Sequence, residues 1–89
     1  MRTFSRTSEF KKDVKRAGKR GWNLAKLKTV LELLIEGENL PPHFKDHPLS
    51  GDYAGSRDCH LEPGWILIYS LEANHVRFER TGTHSDLFR

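Results

Sequence analysis

A chain of 89 residues, 30% charged and 36% hydrophobic, is expected to form one domain over residues 1–89, too short for two cores and too apolar for a disordered tail. Its one cysteine, Cys59, excludes an internal disulfide framework, and its longest apolar run, residues 65–69, is far below the roughly 20 residues of a membrane span, so a protein of a reducing cytoplasm with no membrane partner is expected. The net charge of +3 hides a polarised chain: ten Lys and Arg face two acids over residues 1–30, and five face ten over residues 31–89, so the basic first third suggests an anionic partner such as nucleic acid.

Arg2–Ser5 reads as a weak strand with one large apolar residue, Phe4. Thr7 and Ser8 offer a helix N-cap, and Glu9 places an acid in the first turn, where it complements the dipole. Phe10, Val14 and Ala17 recur at i, i+4 and i+7 and turn a narrow stripe toward a core. Lys11, Lys12, Lys15, Arg16 and Lys19 take the remaining faces, giving a basic amphipathic helix bracketed by Gly18 and Gly21. Asn23 then caps a second helix with Leu24, Leu27, Leu31 and Leu34 on one face, widened by Val30 and Ile35, and with Gly37 at the C-terminal cap. The short link between them predicts an antiparallel helical hairpin.

Pro41 and Pro42 forbid further helix, and Pro48 biases His47 toward an extended backbone. Residues 38–55 therefore form a long connection, and such connections are often functional. From Arg57 the period becomes two. Arg57–Glu62, Trp65–Leu71 and His75–Thr81 are three strands of a meander, turned at Pro63-Gly64 and at residues 72–74. The middle strand is apolar on both parities and should be central. The remaining residues, 82–89, form a polar turn ending in an exposed aromatic. The order β-α-α-β-β-β predicts an α+β fold, with the N-terminal strand and helical hairpin packed on a mostly antiparallel sheet.

Asp58, His60 and Glu62 share one parity of the first meander strand, and Cys59 and Leu61 the other. Asp58 and His60 thus project together about 7 Å apart. A carboxylate so placed favours the imidazolium and can orient the ring, although an ordinary half-buried strand shows the same polar alternation. His47 in the long connection, His60 on the strand and His84 after the last strand are candidates for general acid–base work, since imidazole titrates near pH 6.5. His43 and His47 have the i, i+4 spacing of helical metal ligands, but the prolines leave no helix to enforce it. No metal and no other cofactor is expected. Cys59 shares its parity with Leu61 and points to the core, where a thiol stays protonated.

Arg57 and Arg80 are candidates for holding an anion, because a guanidinium beside a reacting phosphate stabilises the developing charge. Strict alternation sends Arg80 to the core side with Val76 and Phe78. To serve a site it needs a bulge or a strand end beyond the helices; otherwise it forms a strand-end salt bridge to Glu79 or Asp58. Phe88 either stacks on a base, worth about 1–3 kcal/mol, or clips the tail to the sheet.

Four strings carry a resemblance: Lys45-Asp-His-Pro-Leu49, Arg57-Asp-Cys-His-Leu-Glu-Pro63, Trp65-Ile-Leu-Ile-Tyr69 and Arg77-Phe-Glu-Arg-Thr-Gly-Thr-His-Ser-Asp-Leu-Phe88. Together they closely resemble the YafQ-like mRNA interferase toxins of the RelE/ParE superfamily, most strongly over residues 43–88 and in register over the hairpin. The resemblance implies a RelE-like fold in the bacterial cytoplasm. It also implies a ribosome-dependent endoribonuclease that cuts messenger RNA in the decoding site without metal. The RNA's own 2′-hydroxyl would attack the phosphate, leaving a 2′,3′-cyclic phosphate and a 5′-hydroxyl.

On the same resemblance, His84 would protonate the leaving oxygen and His47 or His60 would take the 2′-proton. Asp58 would orient His60, Arg80 would hold the scissile phosphate and Phe88 would stack a base. Lys11, Lys12, Lys15, Lys19 and Arg20 can dock on ribosomal RNA without reading sequence, and Arg57 and Lys45 complete the expected RNA-binding set. A toxin of this kind implies a cognate antitoxin whose acidic segment covers the basic surface. One position departs from the pattern. The family carries an acid between the Pro and Trp of the strand turn, and here Gly64 stands there, leaving Asp58, Glu62 or Asp86 to compensate. Two other readings stand beside the nuclease. The superfamily's gyrase-inhibiting members lack the three histidines with Arg80, and an RNA-binding module with decayed catalysis would have Gly64 as its first symptom.

Overall fold

In the computed structural model, which describes residues 1–88, the chain runs β1 (Thr3–Arg6), α1 (Ser8–Lys19), α2 (Leu24–Glu36), β2 (His47–Pro48), β3 (Arg57–Glu62), β4 (Trp65–Glu72), β5 (His75–Gly82) and α3 (His84–Leu87). Two short 3-10 turns, Pro42–Phe44 and Gly51–Tyr53, break up the long connection. The helix ends follow the local chemistry. Thr7 Oγ1 accepts from the Phe10 N–H at 2.9 Å and Asn23 Oδ1 from the Ala25 N–H at 3.1 Å, each satisfying an orphan donor of a first turn. α2 stops where Gly37 turns left-handed at φ 84°, a conformation that favours glycine.

The strands form one sheet in the order β1-β5-β4-β3-β2. β1 lies parallel to β5, and every other pairing is antiparallel. The expected α+β arrangement is therefore the one observed, with three elements differing in detail. β1 begins one residue later than expected. His47 and Pro48 pair with Asp58 and Arg57 as a two-residue edge strand, a place where proline's missing N–H is tolerated. The C-terminal turn is a short helix, α3, closed by a capping box in which Thr83 and Asp86 each bond the other's backbone N–H.

β4 is apolar on both parities because both of its faces are covered. On the helical side, Trp65, Leu67 and Tyr69 pack with Phe10, Ala17, Leu27, Val30, Leu34, Val76 and Phe78. On the opposite side, Ile66 and Ile68 lie under Leu87, with Leu49, Tyr53 and Phe88 around them. The second, smaller cluster floors the surface on which the polar residues gather.

Two bulges reset the alternation. In β3 the register shifts between His60 and Glu62, so Leu61 is the extra residue. Glu62 then falls opposite Trp65, on the helical side, where it meets Lys26 of α2 at 3.6 Å. Glu62 thus leaves the face of Asp58 and His60 that strict parity assigned to it, although it still lines a cavity with His60 and another with Gly64. In β5 the pairing runs Tyr69 with Phe78 and then Ile68 with Arg80, making Glu79 the extra residue.

Candidate active site

The β5 bulge decides the site. Residues paired across antiparallel strands share a face, so His47, Asp58, Ile68 and Arg80 form one row across β2, β3, β4 and β5. Three strand spacings of about 4.8 Å separate its ends. A second row, His60 and Ile66, lies beside it. The bulge carries Arg80 off the core parity of Val76 and Phe78 and onto the face of Asp58, resolving the conflict in its sequence position.

Asp58 sits at the middle of the polar cluster and is only 4% exposed. His47 Nε2 lies 2.7 Å from its Oδ1. The ring N–H is not aimed along that contact, and Oδ1 has no directed hydrogen bond among the described residues. The pair is therefore a close contact without a directed hydrogen bond at that oxygen. Burial pushes the Asp58 carboxyl above its usual range, and the rings of His47, His60 and His84 pull it back, against a further push from Asp46. His47 of β2 and His60 of β3 thus lie beside this carboxylate, and His84 of α3 acts on it from farther off. The contact of Asp58 goes to His47 across the β2–β3 edge, whereas its position two residues from His60 had paired it with that ring. The rings of His47 and His60 are 6.1 Å apart.

One possible ligand atom from each of His47, Asp58 and His60 lies within 4.8 Å of the others. Two imidazoles and a carboxylate fit a borderline transition metal such as zinc or copper, a set that the spacing of His43 and His47 did not reveal. His43 stays outside this cluster, its ring against Phe44 at 4.2 Å.

The other half of the site is carried by β5 and α3. His84 opens α3, exposed, with its ring 4.7 Å from Phe88. Phe88 is half-buried against Tyr53 in an edge-on contact at 5.4 Å, so it clips the tail to the sheet while keeping part of its ring free. A cavity of about 530 Å³ opens between Tyr53, Arg80, Leu87 and Phe88. Arg80 is gripped from behind by Asp13 of α1, whose carboxylate accepts from Nε at 2.7 Å and from Nη2 at 3.2 Å. The salt-bridge partner is thus neither Glu79 nor Asp58.

Other expected residues lie elsewhere. Arg57 is on the helical face opposite Asp58 and is held by Asp46, which also takes the Tyr69 hydroxyl; it does not join the row. Lys45 lines a cavity of about 410 Å³ beside His60 and His43. Lys11, Lys12, Lys15 and Lys19 are exposed along α1. Arg16 and Arg20 turn inward to Asp86, Arg20 at 2.8 Å. Cys59 is fully buried, and burial pushes its thiol up to about 12, as its parity predicted. Gly64 turns at φ 83° with nothing near an added Cβ, so the position has room for a side chain and a backbone that favours glycine.

Asp13 and Tyr53 escape a reading of the sequence. Asp13 has a visible signal: it lies three residues after Phe10 and four before Ala17, a carboxylate on an apolar stripe. Tyr53 has none, because only the folded connection brings it under α3.

A sheet face that gathers histidines, an aspartate and an arginine, with an aromatic beside it, defines a small α+β domain with acid–base equipment. Residues 2–89 match the family model of the bacterial toxin of type II toxin-antitoxin systems, YafQ. The chain belongs to the YafQ family. It is 50% identical to the mRNA interferase toxin YafQ of Escherichia coli strain K12, over 99% of this chain and 97% of that one; an mRNA interferase is an endoribonuclease. The crystal structure of the E. coli DinJ-YafQ complex superposes with a TM-score of 0.93 at 49% identity, covering 100% of both chains. A metal-bound toxin from Helicobacter pylori does so at 0.90 and 38%, covering 99% of this chain and 100% of that one.

Proposed function

We propose that this endoribonuclease toxin acts on the ribosome, cutting messenger RNA in the decoding site by metal-free acid–base catalysis in the bacterial cytoplasm. The observation that carries this is the cluster of His47, Asp58 and His60 with Arg80 on the same sheet face, and His84 at the start of α3 beside Phe88. Transesterification within RNA needs one base, one acid and a positive group for the phosphate, and these residue types supply all three.

As the 2′-oxygen attacks phosphorus, His47 takes its proton on Nδ1, the nitrogen away from Asp58, which leaves its 3.1 Å contact with the Pro48 carbonyl. The imidazolium so formed lies against the Asp58 carboxylate, 2.7 Å away, which stabilises it as it appears. The bond from phosphorus to the 5′-oxygen breaks, His84 gives that oxygen its proton, and a cyclic phosphate and a 5′-hydroxyl remain. Arg80 and His60 face the phosphate oxygens, and Phe88 stacks a base beside the cavity. An ion held by His47, Asp58 and His60 would occupy the same nitrogens and carboxylate that this chemistry uses.

The exposed lysines of α1 suit ribosomal RNA, and the same surface suits an acidic antitoxin segment that orders on binding. The E. coli relative is seen in complex with DinJ, which supports a partner of that kind here. The test is a translating extract with 5′-hydroxyl ends mapped on the message. Cleavage should need ribosomes, persist in chelator, fall on addition of copper and drop by about 10²-fold or more in His84→Ala. Loss of cleavage in chelator would overturn the metal-free step. Growth arrest with intact message and a DNA-damage response would overturn the nuclease.

A further inference from the structure

We propose that Asp13, on the helix opposite the polar sheet face, is a positioning residue that holds Arg80 in its phosphate-binding pose. The inference rests on the role given above to Arg80 and adds the group that makes the role attainable.

β1 pairs with β5 only as far as Phe78, so the outer edge of β5 beyond it has no strand partner. α1 supplies the substitute. Thr7 Oγ1 donates to the Glu79 carbonyl at 2.7 Å, and the Thr81 N–H donates to Asp13 Oδ2 at 3.1 Å. Between these two anchors lies the bulge. On the sheet side Ser56 Oγ donates to Glu79 Oε1 at 2.6 Å. The extra residue is therefore pinned at its carbonyl, its side chain and the next-but-one amide, and Arg80 has one direction left.

Asp13 then fixes the guanidinium itself. It is 4% exposed and takes the Nε and Nη2 edge as a two-pronged fork. Such a fork sets both the direction and the plane of the group. Nη1 takes no part in the fork, and Arg80 lines a cavity with Tyr53 and Phe88. Arg16 donates to Asp13 Oδ1 at 2.9 Å, so two guanidinium groups share this carboxylate. A helix whose outer face is a row of lysines thus sends one buried acid through to the catalytic face.

The experiment is single-turnover cleavage on programmed ribosomes with Asp13→Asn, Arg80→Lys and the double variant, alongside urea unfolding. Asparagine is isosteric and still accepts from the Thr81 N–H, but it cannot grip the guanidinium as a charged fork. Asp13→Asn should lower the saturating rate by about 10- to 100-fold and leave the half-saturating toxin concentration within about twofold. In the Arg80→Lys background, where the fork is already absent, the same change should cost less than about twofold. The Arg80 Nε proton, bonded to Asp13 Oδ2 in the native protein, should exchange faster in Asp13→Asn. An unchanged rate in Asp13→Asn with Arg80→Lys impaired would overturn this inference alone, as would losses that multiply fully in the double variant. Full activity in Arg80→Lys and in Arg80→Ala would overturn the phosphate role and the positioning role together.

Discussion

A carboxylate as deeply buried as Asp58, without a directed hydrogen bond at Oδ1, is costly to ionise. Burial raises its pKa, and the three histidines only partly offset this. For an acid with a raised folded-state value, the favourable contribution is present below the ordinary value of 3.8 and is lost as pH climbs through the raised one. Asparagine carries no such dependence. Asp58→Asn should therefore gain on the native protein as pH rises from about 4 to 7, ending with the higher thermal midpoint. Cleavage should fall about 10²-fold or more, the exchange of stability for function common at active sites. Thermal melts of both proteins across that range check it; a variant less stable than the native protein at pH 7 would contradict it.

α3 has four residues and cannot persist alone, yet it carries His84 and leads into Phe88. Asp86 is what holds it. Its carboxylate accepts from Thr83 N–H at 2.8 Å and from Arg20 at 2.8 Å, and Arg20 first, then the Thr83 bonds, keep it far below the usual carboxylate range. A depressed value means that this support is present above the ordinary value and fades as pH falls. Gly82, at the end of β5, makes room for the arrangement: a Cβ there would lie 2.9 Å from Asp86 Oδ2 and 3.1 Å from Asp86 Cβ. Gly82→Ala should cost about 1–3 kcal/mol through overpacking and lower cleavage as His84 and Phe88 move with α3. Urea unfolding and cleavage measured on one preparation check it, and an alanine variant equal to the native protein in both would sink the account.

Across the whole molecule the basic first third divides into two jobs. Arg16 and Arg20 are committed inward to Asp13 and Asp86. Lys11, Lys12, Lys15 and Lys19 are exposed and form no ion pair among the described residues, so they are available to a polyanion. Replacing these four by glutamine should weaken ribosome binding and flatten its dependence on log salt by about 3, at roughly 0.7–0.9 for each phosphate left without its lysine. The cleavage rate at saturation should be unchanged, because none of the four lies on the sheet face that carries Asp58, His60 and Arg80. Binding measured over a salt series, beside single-turnover rates, separates the two effects. An unaltered slope would assign the docking to another surface.

Local rules sufficed for the helical hairpin with its caps at Thr7, Asn23 and Gly37, for the meander and its turns, and for the burial of Cys59. Each follows from the residue types within a turn or two of the chain. The polar residues His47, His60 and His84 with Asp58 and Arg80 were legible as candidates by type, but their partnerships were not. Asp58 meets His47 because a two-residue edge strand returns from a long connection. Arg80 faces the site because one extra residue, Glu79, enters a strand whose parity pointed it inward, and Glu62 leaves the site because Leu61 does the same in β3. Asp13 reaches Arg80 across 67 positions of sequence, around the unpaired edge of β5. Periodicity fixes a side chain's direction only while the register holds. A bulge or an edge contact is stabilised by residues far away in the chain, so those decisions belong to the tertiary structure.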